Sequence, residues 1–132
     1  TGCGYQAAVL SRIAKTVYSI EVYPELAEKA QEHLHRLGYD NVTIVSGDGT
    51  LGWPEHAPFD GIIATASGPS VPEPFKEQLA VGGRIVMPIG EYRFGQYIVR
   101  VTRGQLSAGA PAGCGLCSLD RKIRMAKVMH QG

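Results

Sequence analysis

The chain has 132 residues, 44% of them hydrophobic, and a formal net charge of +1. This length fits one domain with a real core, and the small charge gives no basic field for nucleic acid. No apolar run approaches the roughly 18 residues of a membrane span. The three cysteines cannot close a full set of disulfides, and no export signal opens the chain. We therefore expect a cytoplasmic monomer without nucleic-acid or membrane partners.

A glycine-rich turn at residues 1–4 opens the chain, followed by a short helical pattern through Ile13. Residues 17–20 predict a strand, and acidic Glu21 follows it. Glycines let a backbone turn approach a ligand closely, and a carboxylate at a strand tip can bind a ribose diol. This order predicts a site for an adenosine-containing cofactor. The spacing G-x-G-x-x-A also fits the dinucleotide fingerprint, so the motif alone leaves the cofactor open.

A long helix is predicted from Pro24 to the stop at Gly38, because apolar residues recur at helical spacing: Leu26, Ala27, Ala30, Leu34 and Leu37. Residues 42–45 predict a buried strand. Asp48, between two glycines, then gives a second acidic residue after a strand. A loop leads to the next predicted strand, residues 59–65.

Residues 71–79 predict a further helix that closes near Gly82 and Gly83, and residues 84–88 and 96–102 predict two more strands. Such alternation predicts an α/β fold with a mainly parallel sheet, helices on both faces and ligands at the carboxyl ends of the strands. A nucleotide-binding glycine loop must leave the carboxyl end of a strand. That first strand is absent from the sequence, so we expect a fragment.

The last part of the chain differs in composition. Residues 104–117 are rich in Gly, Ala, Ser and Pro, and residues 121–128 are basic. We expect a partial domain over residues 1–103 and an atypical, flexible tail over residues 104–132 that does not complete the sheet, with its basic stretch as a solvated helix. Cys114 and Cys117 have the spacing of a zinc or redox pair but no second pair of ligands. We therefore expect reduced thiols and no metal site.

Five segments together resemble the protein-L-isoaspartate O-methyltransferase family: TGCGYQAAVL (1–10), GDGTLG (47–52), APFD (57–60), VPEP (71–74) and GGRIVMPIG (82–90). The resemblance runs from residue 1 to about residue 103. It implies a Rossmann-like, seven-stranded methyltransferase fold, here incomplete because the first strand is absent. It also implies S-adenosylmethionine as methyl donor and the carboxylate of L-isoaspartyl residues in damaged proteins or peptides as acceptor. This transferase reaction of protein repair would be impaired in a fragment.

The resemblance also implies roles for single residues of the cofactor site. Gly2 and Gly4 would lie against the methionine part of S-adenosylmethionine, and Glu21 would bind the ribose hydroxyls. Asp48, with Gly49, would contact adenine. From the residues alone, an ordinary Asp-Gly turn remains an alternative for Asp48, and a capping or solvated acid remains one for Glu21.

The acceptor side is less defined. Thr65 and Ala66 would bind substrate at the end of a strand, but the following Ser67-Gly68 departs from the alanine-rich segment usual in the family. The family's serine-bearing substrate loop precedes the glycine loop, so no catalytic serine is assigned. The isoaspartyl carboxylate is already ionised, so the reaction needs alignment rather than a general base. No histidine therefore receives a catalytic role, and we expect His33 and His35 to be solvated.

Two other functions remain open from the sequence. The glycine loop and Glu21 permit an NAD(P)-dependent oxidoreductase fragment, although no Tyr-x-x-x-Lys pair follows them. The chain could also be a truncated, non-catalytic protein that keeps part of the fold.

Overall fold

The computed structural model describes residues 1–90 and 95–104, together with the backbone of residues 124–128. Within these ranges the helices and strands are α1 (Tyr5–Ser11), β1 (Thr16–Glu21), α2 (Pro24–Arg36), β2 (Val42–Ser46), β3 (Phe59–Ala64), α3 (Glu73–Gln78), β4 (Leu79–Ile89), β5 (Tyr97–Thr102) and β6 (Arg124–Val128). Two short 3₁₀ turns, Gly49–Leu51 and Pro54–His56, lie between β2 and β3.

The six described strands form one sheet in the order β2-β1-β6-β3-β4-β5. All neighbours run parallel except β4 and β5, which are antiparallel. The predicted, mainly parallel α/β sheet is therefore confirmed. Because β1, β2, β3 and β6 run the same way, their carboxyl ends meet at one edge of the sheet. None of the described helices is long and apolar enough to cross a membrane.

Helices cover both faces of the sheet. On one face, a buried cluster unites α1 and α2 with the strands, including Leu10, Val17 and Leu34. On the other face, α3 contributes Phe75 to a cluster with Ile62. Side chains alternate between the faces along a strand, which explains why adjacent strand residues pack into different clusters.

The long predicted helix is present as α2. Pro24 occupies the first turn, where its missing N–H costs no hydrogen bond, and Gly38 follows the helix in the left-handed region at φ 81°. Ala27, Ala30 and Leu34 are buried against the sheet, as predicted. The outer members of the predicted apolar stripe, Leu26 and Leu37, are 40% and 64% exposed instead.

The region after α3 differs from the prediction. Helix α3 is shorter than residues 71–79, and β4 starts directly after it, so Gly82 and Gly83 lie inside a strand rather than before one. The reason is pairing with the end of β5. The N–H of Gly82 donates to the carbonyl of Arg103, and the N–H of Arg103 donates to the carbonyl of Gly83.

A second prediction, that of a solvated helix in the basic segment near the carboxyl terminus, also differs from the structure. Residues 124–128 form β6, which lies between β1 and β3 and runs parallel to both. The expectations that this stretch forms a solvated helix and that the tail leaves the sheet incomplete are therefore wrong for these residues. The backbone pairs Ala126 with Tyr18 on one side and Ile62 on the other. Residues 105–123 lie outside the described part, so their predicted flexibility stays a prediction.

Candidate functional site at the carboxyl edge of the sheet

Strand pairing brings the two predicted acidic residues to the same edge. Glu21 ends β1 and pairs in register with Ser46, the last residue of β2. The N–H of Gly47 then donates to the Glu21 carbonyl at 2.9 Å. Asp48 therefore directly follows Gly47, the residue whose backbone contacts Glu21.

The glycine loop lies against the same strand end. Gly2 and Gly4 have φ values of 56° and 87°, which other residues adopt only with strain. The N–H of Gly4 donates to the carbonyl of Thr1 at 3.1 Å and closes the turn. A Cβ on Gly4 would lie 3.2 Å from the Leu34 side chain of α2. The backbone conformation therefore favours glycine at position 4, and a side chain there would also press against Leu34.

Glu21 joins the glycine loop to β1. Its side chain is buried, with the residue only 4% exposed. Its Oε2 atom accepts hydrogen bonds from the backbone nitrogen of Thr1 at 2.6 Å and from the N–H of Gly2 at 3.1 Å. Its Oε1 atom accepts one from the N–H of Tyr23 at 3.2 Å. A carboxylate offers about four acceptor positions, so these three bonds leave it capacity for a ligand hydroxyl.

This environment favours the ionised form of Glu21. Burial alone would raise the pKa of the carboxyl group, but hydrogen bonds from the backbone nitrogen of Thr1 and from the N–H groups of Tyr23 and Gly2 outweigh it. The pKa of Glu21 is consequently held below its ordinary value of 4.5.

Ser19 is a residue that sequence reasoning missed. It is fully buried in β1, and its hydroxyl lies 2.7 Å from the hydroxyl of Thr1. This contact is a second link between the glycine loop and the strand that ends in Glu21. The available signal was a hydroxyl residue inside an otherwise apolar strand, since a buried hydroxyl needs a hydrogen-bond partner.

Asp48 begins the first 3₁₀ turn and is exposed at the edge. Its Oδ1 atom accepts hydrogen bonds from the N–H of Thr50 at 2.9 Å and from the Thr50 hydroxyl at 2.7 Å. These bonds fix the carboxylate relative to the turn. Gly49, predicted beside it, is the first residue of the turn and is buried.

The predicted acceptor residues lie further along the same edge. Strand β3 ends at Ala64, so Thr65 and Ala66 follow it directly, and Thr65 is exposed. Strand β6 separates β3 from β1, which puts β1 and β3 about 10 Å apart at the usual strand spacing. Ala66 lines a cavity of about 280 Å³ that Thr50 of the Asp48 turn also lines. Ser67 and Gly68, the departures from the family pattern, lie in the wall of that cavity.

A larger cavity of about 590 Å³ lies beside the glycine loop. Gly2 and Cys3 form one wall, and residues of α2, among them Lys29 and His33, form the other. His33 and His35 are exposed, which confirms the expectation for both. His130, Cys114 and Cys117 lie outside the described residues. Over the part of the chain that the structure describes, no group of three or more His, Cys, Asp or Glu side chains could hold a metal ion.

The comparison that decides the family covers most of the chain. Residues 1–110 match the family model for protein-L-isoaspartate(D-aspartate) O-methyltransferase. The chain belongs to this family. The match extends several residues beyond residue 103, where we expected the resemblance to end.

Curated relatives in the family are similar at high identity. A protein-L-isoaspartate O-methyltransferase 2 of Pelobacter propionicus is 58% identical over 103 residues, covering 78% of this chain and 46% of the relative. A protein-L-isoaspartate O-methyltransferase 1 of Geotalea uraniireducens is 52% identical over 103 residues, covering 78% of this chain and 47% of the relative. The chain thus spans about half the length of these relatives. Neither is an oxidoreductase, so that alternative gains no support.

One relative extends the similarity into the segment expected to be atypical. The protein-L-isoaspartate O-methyltransferase of Geobacter metallireducens is 50% identical over 125 residues, covering 92% of this chain and 57% of the relative. A match over 103 residues covers only 78% of this chain. The longer match therefore includes part of the segment after Arg103, and the expectation that the resemblance stops there is wrong.

Solved structures show the same fold. A protein-L-isoaspartate O-methyltransferase superposes with a TM-score of 0.73 at 37% identity, covering 78% of this chain and 34% of the other. A putative family member from Plasmodium falciparum, solved in complex with S-adenosyl-L-homocysteine, gives a TM-score of 0.57 at 25% identity, covering 68% of this chain and 45% of the other. The predicted α/β methyltransferase fold is therefore confirmed.

Proposed function

We propose that this chain binds S-adenosylmethionine and transfers its methyl group to the carboxylate of L-isoaspartyl residues in damaged proteins. The observation that carries the proposal is the convergence of the glycine loop, Glu21 and the Asp48 turn at one edge of the sheet. Membership of the isoaspartate methyltransferase family supports the reaction and the acceptor.

Each part of the proposed cofactor has a matching group at this edge. The strained turn at Gly2 and Gly4 brings backbone close to the methionine part, and Glu21 has acceptor capacity for a ribose hydroxyl. Asp48 and Gly49 are held in one turn for adenine. S-adenosylmethionine supplies an electrophilic methyl group on a sulfonium. The family member solved with S-adenosyl-L-homocysteine supports this class of ligand.

The acceptor reaches the site along β3 in this proposal. Thr65 and Ala66 border the route, and the cavity shared with Thr50 leaves space beside them. An isoaspartyl carboxylate is ionised at neutral pH, so the protein needs to orient it rather than remove a proton. Alignment of reacting groups is worth about 7–11 kcal/mol in favourable cases.

We also propose a cytoplasmic location, which three cysteines without a full set of disulfides favour, and a monomeric state. We also propose that residues 1–103 form the methyltransferase part and that residues 105–123 form a separate, flexible tail. The pairing of β6 with β1 and β3 makes residues 124–128 part of the sheet.

The test separates binding from turnover, because the chain spans about half of its relatives. Calorimetric titration with S-adenosylhomocysteine measures binding, with NADH as the matched control ligand. Transfer of a radiolabelled methyl group to an isoaspartyl peptide measures turnover. The same peptide with ordinary aspartate is the control. We expect selective binding of S-adenosylhomocysteine, with methyl transfer impaired in this chain and any label confined to the isoaspartyl peptide. Binding without transfer would support the cofactor and reject the activity, and tighter binding of NADH would reject both.

A further inference from the structure

Gln78 is a buried polar residue with no role in the proposal so far. It is the last residue of α3 and is 8% exposed. Its side chain lies under the loop that follows β2. A buried amide needs donors and acceptors around it, so its partners show what it holds.

Both ends of the Gln78 amide bond the same short loop. Its Oε1 atom accepts a hydrogen bond from the N–H of Trp53 at 2.8 Å, and its Nε2 atom donates one to the carbonyl of Leu51 at 2.9 Å. One partner can only donate and the other can only accept, which fixes the orientation of the amide. Gln78 therefore gives these two backbone groups the hydrogen bonds that water would otherwise provide.

Gly52, between the two bonded residues, makes this approach possible. It has a φ of 65°, and a Cβ at this position would overlap the Gln78 side chain. The loop is thus shaped around the amide.

The loop that Gln78 holds is the one that presents Asp48. Leu51 ends the 3₁₀ turn that Asp48 begins, and its N–H donates to the Asp48 carbonyl at 3.3 Å. Asp48 also bonds Thr50 in the middle of the turn. Movement of Leu51 would therefore be transmitted to Asp48 through the turn.

We infer that Gln78 is a positioning residue for the cofactor site: its side chain, clamped between Trp53 and Leu51, sets the turn that presents Asp48 to adenine. This inference rests on the proposed function. A well-placed turn binds its ligand without first being ordered, so loss of the clamp lowers cofactor affinity rather than abolishing the fold.

The Gln78→Glu substitution gives a test that a merely structural role would not pass. A protonated glutamic acid has one acceptor and one donor, like the amide, whereas an ionised carboxylate only accepts and faces the Leu51 carbonyl. Burial and the facing Leu51 carbonyl should raise the pKa of a carboxyl group at this position above its ordinary value. We expect the Kd for S-adenosylhomocysteine to rise at least tenfold at pH 8 and to fall back toward that of the original protein at pH 5.5. Glu77→Gln, an exposed neighbour on α3, is the matched control and should bind equally at both pH values.

Gln78→Met decides the matter if the first variant does not fold at pH 8. It keeps a similar volume but has no N–H donor and no oxygen acceptor, so we expect at least tenfold weaker binding at both pH values, with the fold retained by circular dichroism. Affinity equal to that of the original protein in a folded Gln78 variant at pH 8 would overturn the inference.

Amide hydrogen exchange keeps this outcome distinct from failure of the proposed function. If the unsubstituted protein does not bind S-adenosylhomocysteine, the proposed function fails while the clamp can still be measured. We expect the Trp53 amide in Gln78→Met to exchange at least tenfold faster than in the original protein. Unchanged exchange at Trp53 would reject the clamp itself.

Discussion

At the scale of single residues, Glu21 anchors the glycine loop, and we propose that it also binds the ribose of the cofactor. Its place after a strand predicts an acid at the ligand edge, and the structure has it there. Its bonds to Gly2 and Tyr23 are not predictable from spacing, because they depend on how the glycine loop folds back onto β1. The same limit applies to Ser19 and Gln78, whose partners are distant in sequence. Asp48 was predictable in position, but its bonds to Thr50 were not.

The first prediction concerns the stability that Glu21 provides. Because its folded pKa is lowered, the contribution is present above the unfolded pKa near 4.5 and is lost as pH falls through the lower folded value. We expect Glu21→Gln to destabilise the protein by about 1–3 kcal/mol at pH 7, since it replaces charge-assisted hydrogen bonds. Urea unfolding from pH 7 to pH 3 measures this. The difference between the two proteins should shrink on acidification, and a constant difference would contradict the prediction.

The same substitution tests the ligand role of Glu21. An amide is a weaker acceptor for ribose hydroxyls than a carboxylate, so we expect cofactor affinity to fall about tenfold, equivalent to about 1.4 kcal/mol. Calorimetry with S-adenosylhomocysteine at pH 7 gives the comparison. Exposed Glu25→Gln, in the first turn of α2, is the control. Equal affinity for Glu21→Gln and the control would show that Glu21 serves the loop alone.

At the scale of elements, the sequence predicts best where periodicity is strong and local. Helix α2 and strands β1 to β3 lie within two residues of their predicted bounds, because their apolar spacing reflects burial on the sheet. The predicted start of β4 was wrong, because Gly82 and Gly83 resemble the glycines that end a helix. The prediction missed their pairing with Arg103, which directly follows β5 and is distant in sequence.

A pair of glycine substitutions tests how the loop packs on α2. Gly4 and Gly38 have similar left-handed φ values, 87° and 81°, but only a Cβ at Gly4 would press against Leu34, at 3.2 Å. Alanine should cost about 1–2 kcal/mol at either site from the backbone conformation. We expect Gly4→Ala to lose more than Gly38→Ala in urea unfolding, because it adds the packing conflict. Equal losses would mean that Leu34 moves aside freely.

At the scale of the whole molecule, the position of β6 is the main departure from the prediction. Strand β6 lies between β1 and β3 in the sheet, and central strands of parallel sheets are usually rich in Val, Ile and Leu. Residues 121–128 are basic, so their composition favoured a solvated helix. Pairing with two strands that are distant in sequence is not encoded in local periodicity, which is why this element was missed.

The last prediction tests whether β6 holds the two halves of the sheet together. Ala126 pairs with Tyr18 and Ile62, so a proline there removes a ladder hydrogen bond inside the sheet and leaves its partner unsatisfied, at a cost of about 1–3 kcal/mol. Ile44→Pro is the control at the edge strand β2, where the lost N–H bonds only the side chain of Gln31. We expect urea unfolding to show a clearly larger loss for Ala126→Pro. Because β6 is the only described strand that joins β1 to β3, a loss no larger than that of the control would mean that the sheet keeps its centre without β6.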